Sequence, residues 1–202
     1  MAHADRLLPV DDATIRDRIV ASTLLLIADE GLDAVRHRRV AEHAGVSLGS
    51  TSYHFASRDD LIEAAFVLYL DSATALLDEL TPTTPLEHGD QELIVDFIVR
   101  LLEEEFRHPR FVLAEYELLL YAARHESLAV RSRRWEAAQR RSLAAMLEAV
   151  GAERADDGAR TLIALIRGIE LERLASPKRR VDVRGRVRDV VSGLVTGSGR
   201  RS

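Results

Sequence analysis

Residues 35–60, VRHRRVAEHAGVSLGSTSYHFASRDD, constrain this chain more than any other stretch. They place an apolar-periodic helix, a glycine turn, a short polar helix, an aromatic stop and a new helix cap in immediate succession. Gly45 follows Val40, Ala41 and Ala44, where a left-handed residue is needed to end one helix and turn sharply into the next. Ser47 supplies an N-cap for a second helix running from about Leu48 to His54. That helix is too short and too polar for a core. Gly49 inside it costs about 1 kcal/mol relative to alanine, a cost that close approach to a phosphate backbone would explain. Ala41 lets the second helix cross close to the first. The basic run Arg36, His37, Arg38, Arg39 opens the first of the two helices, where positive charge opposes the dipole and an external anion would offset it. This is the anatomy of a helix-turn-helix reader of duplex DNA.

The segment Val40-Ala41-Glu42-His43-Ala44-Gly45-Val46-Ser47-Leu48-Gly49-Ser50-Thr51-Ser52-Tyr53-His54-Phe55-Ala56-Ser57-Arg58-Asp59-Asp60-Leu61 resembles the DNA-binding motif of the TetR-type transcriptional regulators, without a gap. Ile19 to Gly31 resembles the first helix of that family and the glycine that ends it. The departures are Val35-Arg36, where the family usually has threonine near the helix start, and Ser52, where it usually has tyrosine; Tyr53 stands beside it. The motif resemblance covers roughly the first third of the chain, and beyond it only the helical layout agrees.

Composition sets outer bounds. With 202 residues, 47% hydrophobic and 30% charged, the chain is ordinary for a globular protein of one or two domains. It has no cysteine, so disulfides, thiolate metal sites and a cysteine nucleophile are excluded. Residues 1–12 hold Asp5, Asp11 and Asp12 and no apolar run of signal-peptide length, and no segment reaches the roughly 18–20 apolar residues that span a bilayer. The expected location is the cytoplasm, with no membrane partner. The net charge of −5 averages over the whole molecule, whereas phosphate attraction is local.

No segment shows sustained period-two alternation, so the expected fold is all-α: an N-terminal three-helix helix-turn-helix DNA-binding domain followed by a C-terminal helical ligand-binding and dimerisation domain. The division is 1–57 for DNA binding, 58–195 for regulation and dimerisation, and 196–202 as a disordered tail. The first helix, about 13–30, puts Ile15, Ile19 and Leu26 on one face with Val20, Leu24 and Ile27 beside them. Ser57 and Asp60 form a capping-box-like start for a helix reaching Leu80. Thr81-Pro82-Thr83-Thr84-Pro85 breaks the chain into a loop. Ile94, Phe97, Ile98, Leu101 and Leu102 make the stripe of an amphipathic helix that ends at His108-Pro109. Helices over Phe111–Arg124 and about 126–150 follow, the latter with Leu143, Met146, Leu147 and Val150 inward and Arg131, Arg133, Arg134, Arg140 and Arg141 outward. Thr161–Leu171 is apolar nearly all round and is expected to be buried on several sides. The last helix, about 183–195, carries Val183, Val187, Val190, Val191, Leu194 and Val195. The last two helices resemble in position the pair through which the family dimerises.

Within the motif, Leu48, Ser50 and Thr51 stand where side chains reach base edges. Tyr53 can meet bases or backbone, and Arg36, Arg38 and His54 are the expected phosphate contacts, with Thr51 also within reach of one. Ser47 caps and completes the set, and Phe55 is assigned to the core. Tyr116, Glu117, Tyr121, Trp135, Arg167 and Glu170 are candidate lining residues for an effector pocket. Glu104 and His108, at i and i+4, lack a third ligand, so no metal site is assigned and no cofactor is implied. Neither G-x-S-x-G, nor G-x-x-x-x-G-K-[ST], nor H-E-x-x-H occurs, which leaves enzyme readings without a nucleophile, phosphate cradle or metal. Two functions follow. One is a homodimeric regulator, a repressor by resemblance, that binds an operator and is released by a small-molecule effector. The other is a small-molecule carrier whose helix-turn-helix is vestigial.

Overall fold

The computed structural model describes residues 13–196; residues 1–12 and the tail from 197 lie outside it, and Thr196 itself closes the last helix. Among the described residues the fold is all-α. The helices are α1 (Ile15–Glu30), α2 (His37–Ala44), α3 (Leu48–His54), α4 (Arg58–Leu80), α5 (Gln91–Glu105), α6 (Pro109–Ala122), α7 (Glu126–Ala149), α8 (Ala155–Ala175) and α9 (Val183–Thr196). A 3-10 turn, Leu32–Ala34, joins α1 to the α2 entry.

The chain forms two compact units. Among the described residues, one holds those up to Leu76 together with Glu105–Ser132; the other holds Leu77–Glu104 and those from Arg133 to Thr196. They cut the chain differently from a division at residue 57. The reason lies in α1, whose Ile19, Val20, Leu24, Leu26, Ile27 and Ala28 are all buried. A helix apolar on that much of its circumference needs cover from several directions. It packs on α2 and α3 and also on α6.

In the first unit, α1 begins with a reciprocal capping box: Asp17 N–H donates to Thr14 Oγ1 at 3.2 Å and Thr14 N–H to Asp17 Oδ2 at 3.2 Å. Ile15, expected inward, is the first residue of the helix and is exposed. The start of α4 is the reciprocal box read from Ser57 and Asp60, with Ser57 N–H to Asp60 Oδ2 at 2.9 Å and Asp60 N–H to Ser57 Oγ at 3.1 Å. Leu61, Ile62, Ala65 and Phe66 of α4 are wholly buried.

In the second unit the core joins Ile94, Val95, Phe97, Ile98 and Leu102 of α5 to Leu143, Met146 and Leu147 of α7, Leu162, Ile166 and Ile169 of α8, and Val187 and Val191 of α9. Three arginines on α9 are paired. Arg188 donates to Glu92 at 2.8 and 2.9 Å, Arg184 reaches Glu92 and Asp96, and Arg186 donates to Glu172 at 2.5 Å. The Arg188 hydrogen bond holds the Glu92 carboxyl below its ordinary range. The expectation that 161–171 is buried on several sides is only half met within one chain. Leu162, Ile166 and Ile169 are buried, but Thr161, Ala164, Gly168 and Leu171, at helical spacing, stay open, with Leu171 51% exposed.

Candidate nucleic-acid interface

The turn between α2 and α3 is built by backbone geometry. Gly45 sits at φ 63, ψ 39, the left-handed region, and its N–H donates to the carbonyls of Ala41 and Glu42 while Val46 N–H donates to Ala41 O at 3.0 Å. That is a Schellman closure, which satisfies the end of α2 and redirects the chain within two residues. Ser47 then caps α3: Ser50 N–H donates to Ser47 Oγ at 2.9 Å, and the two hydroxyls lie 2.8 Å apart. At the far end His37 Nε2 donates to Phe55 O at 2.9 Å, and Phe55 is buried with the Arg16 guanidinium 5.4 Å above its ring. Phe55 is thus a core anchor, as its sequence position implies.

The result is a seven-residue helix that presents large groups to solvent. Tyr53 is 87% and Leu48 50% exposed, and Ser47 and His54 are exposed with them. Ser50 is half-buried. Arg36 is exposed at the N-cap of α2 and caps nothing with its side chain. Arg38 is exposed and pairs with Glu42 one turn on, at 3.1 Å. Such a surface pair contributes at most about 1 kcal/mol, so a phosphate can compete for the guanidinium. Thr51 must be corrected. It is fully buried, with its hydroxyl 3.4 Å from Ser47 O, because it lies on the face of α3 turned toward the α1–α2 pair; it anchors the helix and presents nothing to a groove.

Three side chains to which the sequence assigns no partner within the chain position this surface. Arg18, on α1, donates to Ala44 O at 2.7 Å and Gly45 O at 3.2 Å. Arg58 donates through Nε to Val35 O at 3.0 Å and through Nη2 to Leu32 O at 2.7 Å. Arg39 pairs with Glu30 at 2.6 Å. No periodicity marks an arginine that serves a carbonyl distant in sequence, so the roles of Arg18 and Arg58 are not legible in the chain alone.

The six effector candidates divide between the units, with Tyr116, Glu117 and Tyr121 in the first and Trp135, Arg167 and Glu170 in the second. Glu117 accepts from Leu32 N–H at 2.7 Å, and Tyr121 donates to Asp59 Oδ1 at 2.5 Å while stacking on His125 at 3.9 Å. With Arg110, which donates to Asp29 at 2.7 and 3.0 Å, they form one stripe of α6 holding the end of α1, the 3-10 turn and the start of α4. The polar ends of Glu117 and Tyr121 are therefore hydrogen-bonded within the chain. Trp135 is 9% exposed with its indole N–H unpartnered, Arg167 lies 4.0 Å from Glu136, and Glu170 is buried. A pair that no sequence pattern marks is Tyr69 and Glu115, both buried, with the phenol donating to Glu115 Oε2 at 2.5 Å.

Burial, and then the hydrogen bond to Asp59, push the Tyr121 phenol up to about 12 from its ordinary 10. A raised folded-state value means the contact contributes fully below pH ~10 and is lost as pH rises through about 12. Stability measured against pH is expected to fall across that window in the wild type, and Tyr121→Phe is expected to flatten that part of the fall. An unchanged profile in Tyr121→Phe would refute the contact.

Among the described residues, no group of three or more His, Cys, Asp and Glu could hold a metal ion, and no helix is long and apolar enough to cross a membrane. A family model described as "Bacterial regulatory proteins, tetR family" matches residues 19–65, and one described as "Tetracyclin repressor-like, C-terminal domain" matches residues 89–197. The HTH-type transcriptional repressor KstR2 of Mycolicibacterium smegmatis is 30% identical over 111 residues, 54% of this chain and 52% of that protein, so the match spans about half of that curated relative's length. A crystal structure of a regulator from Streptomyces coelicolor A3(2), SCO7518, is 31% identical, covering 90% of this chain and 98% of that one, at a TM-score of 0.69. The multidrug binding protein EbrR complexed with ethidium is 29% identical, covering 90% and 99%, at a TM-score of 0.66. With model matches over both its reading helices and more than half its length, the chain belongs to the TetR family of bacterial regulatory proteins.

Proposed function

We propose that this protein is a DNA-binding transcriptional regulator, a repressor that docks as a homodimer on a pseudo-palindromic operator and is released by a small-molecule effector. The observation that carries the reading is the surface of α3, a short helix behind a left-handed glycine with Leu48 and Tyr53 bared and Ser47, Ser50 and His54 beside them. Arg36 and Arg38 flank it as phosphate contacts. The repressor name of the M. smegmatis relative supports the sign of regulation, and the ethidium complex of EbrR supports binding of a small molecule. Residues 1–57 are assigned to DNA binding and 58–195 to regulation and dimerisation. The partner copy is assigned to α8 and α9, where a Cβ at Gly168 or Gly193 would meet nothing within 4 Å, leaving the backbone open to close approach. The work is done in the cytoplasm, without enzymatic turnover or a cofactor.

Two reading heads must meet half-sites about one helical turn, ~34–36 Å, or a multiple apart, so a change in their separation abolishes simultaneous docking. The lever assigned to this is α4, which runs unbroken from Arg58 to Leu80. An effector acts by preferring the state that cannot dock.

The Arg36→Ala, Arg38→Ala double variant tests the reading through duplex binding at several salt concentrations. The slope of log K against log salt is expected to fall by about 0.9 for each phosphate charge that is no longer neutralised. A small-molecule carrier with a vestigial motif would show no selective binding to lose, and an unchanged slope would remove these arginines from the interface.

A further inference from the structure

The half-buried Arg18 reaches with its guanidinium into the turn between α2 and α3. Its Nη2 donates to Ala44 O at 2.7 Å and Gly45 O at 3.2 Å, carbonyls at the negative end of α2 whose helical partners have run out. The stem of Arg18 is fixed, because the next residues on α1, Ile19 and Val20, are buried. The space is fitted as well: a Cβ on Gly45 would stand 3.3 Å from Arg18 Nη2. Gly45 is thus needed both for its left-handed backbone and for the approach of this arginine. Arg58 holds the carbonyls before α2, and His37 holds the carbonyl after α3. The α2–α3 pair is pinned at its entry, its turn and its exit by cationic or imidazole donors.

We propose that Arg18 is a positioning residue for sequence discrimination: by tying the turn to α1 it sets the attitude at which α3 enters the groove, without touching DNA. This rests on the DNA-reading function proposed above. Base-edge hydrogen bonds discriminate only while the helix is held to a fraction of an ångström, whereas phosphate attraction tolerates tilt. Freeing the turn therefore weakens binding to the right sequence more than binding to any sequence.

The test is a competition titration of wild type, Arg18→Met and Arg18→Lys against a duplex selected by the wild type and a scrambled duplex, at several salt concentrations, with the folded fraction of each measured by circular dichroism. Arg18→Met is expected to lower the ratio of selected to scrambled affinity about 10-fold at an unchanged salt slope. Arg18→Lys, which can serve one carbonyl as a point charge, is expected to fall between, and it carries the test should the methionine variant not fold. An undiminished ratio overturns the proposal. So does a slope reduced by about 0.9, which would make Arg18 a phosphate contact. A loss no larger than the unfolded fraction would leave Arg18 a purely structural residue and overturn it equally. If the wild type itself selects no duplex, the DNA-reading function falls and this inference with it.

Discussion

Gly31→Val is expected to remove about 3 kcal/mol of stability, a large share of the roughly 5–15 kcal/mol that holds a typical domain together. Gly31 ends α1 at φ 85, ψ 173, a backbone region that is essentially closed to residues with a Cβ. The space is closed too, since a Cβ there would stand 3.3 Å from both carboxylate oxygens of Glu117. That carboxylate is not free to retreat, because it accepts from Leu32 N–H at 2.7 Å. Displacing it would leave a part-buried amide unsatisfied, at about 1–3 kcal/mol beyond the backbone strain. Urea denaturation should show the midpoint falling by about 1–3 M, given slopes of about 1–3 kcal/mol per molar. Gly89→Val is the matched control: Gly89 is also left-handed, at φ 99, but nothing lies within 4 Å of its Cβ position. It should lose the backbone part alone. Equal losses at the two positions would show that the Glu117 contact contributes nothing.

Leu48→Glu is expected to lower affinity for a selected duplex about 100-fold or more, since removing an apolar group from the base edges and adding a negative charge that faces phosphates act together. Leu48 opens α3 and is half exposed. A carboxylate at the first helical position suits the helix dipole, so unfolding curves should shift by no more than about 0.5 kcal/mol. The separation of the two readouts makes the variant informative. Tyr53→Ala, at a side chain almost wholly in solvent, should likewise weaken binding and leave stability alone. Wild-type affinity in both variants would mean that α3 does not face DNA.

The local parts of this fold are legible in sequence because their causes are local. Gly45, Ser47, Ser57 with Asp60, and the prolines after Leu80 act on backbone a few residues away, and each marks a helix end in the structure. Core stripes such as Ile94–Leu102 carry their own period. What stays hidden depends on partners distant in the chain. Thr51 looks like a groove residue until α3 is packed on α1, and Arg18 looks like a surface cation until the carbonyls of Ala44 and Gly45 arrive beside it. Glu117 and Tyr121 look like pocket polars because nothing in their own helix shows that Leu32 and Asp59 wait 85 and 62 residues earlier. The exposed stripe of Ala164, Gly168 and Leu171 follows the same logic. An apolar period says that a face is to be covered and leaves open whether the cover comes from the same chain.

Selection from random duplex DNA with the full chain, repeated at two salt concentrations, tests the central claim most directly. A dimer with two α3 helices should enrich an inverted repeat with half-sites about one turn apart, and binding should weaken steeply as salt rises. Failure to enrich any sequence at either salt concentration would contradict the DNA-reading function and leave small-molecule binding as the role of the chain.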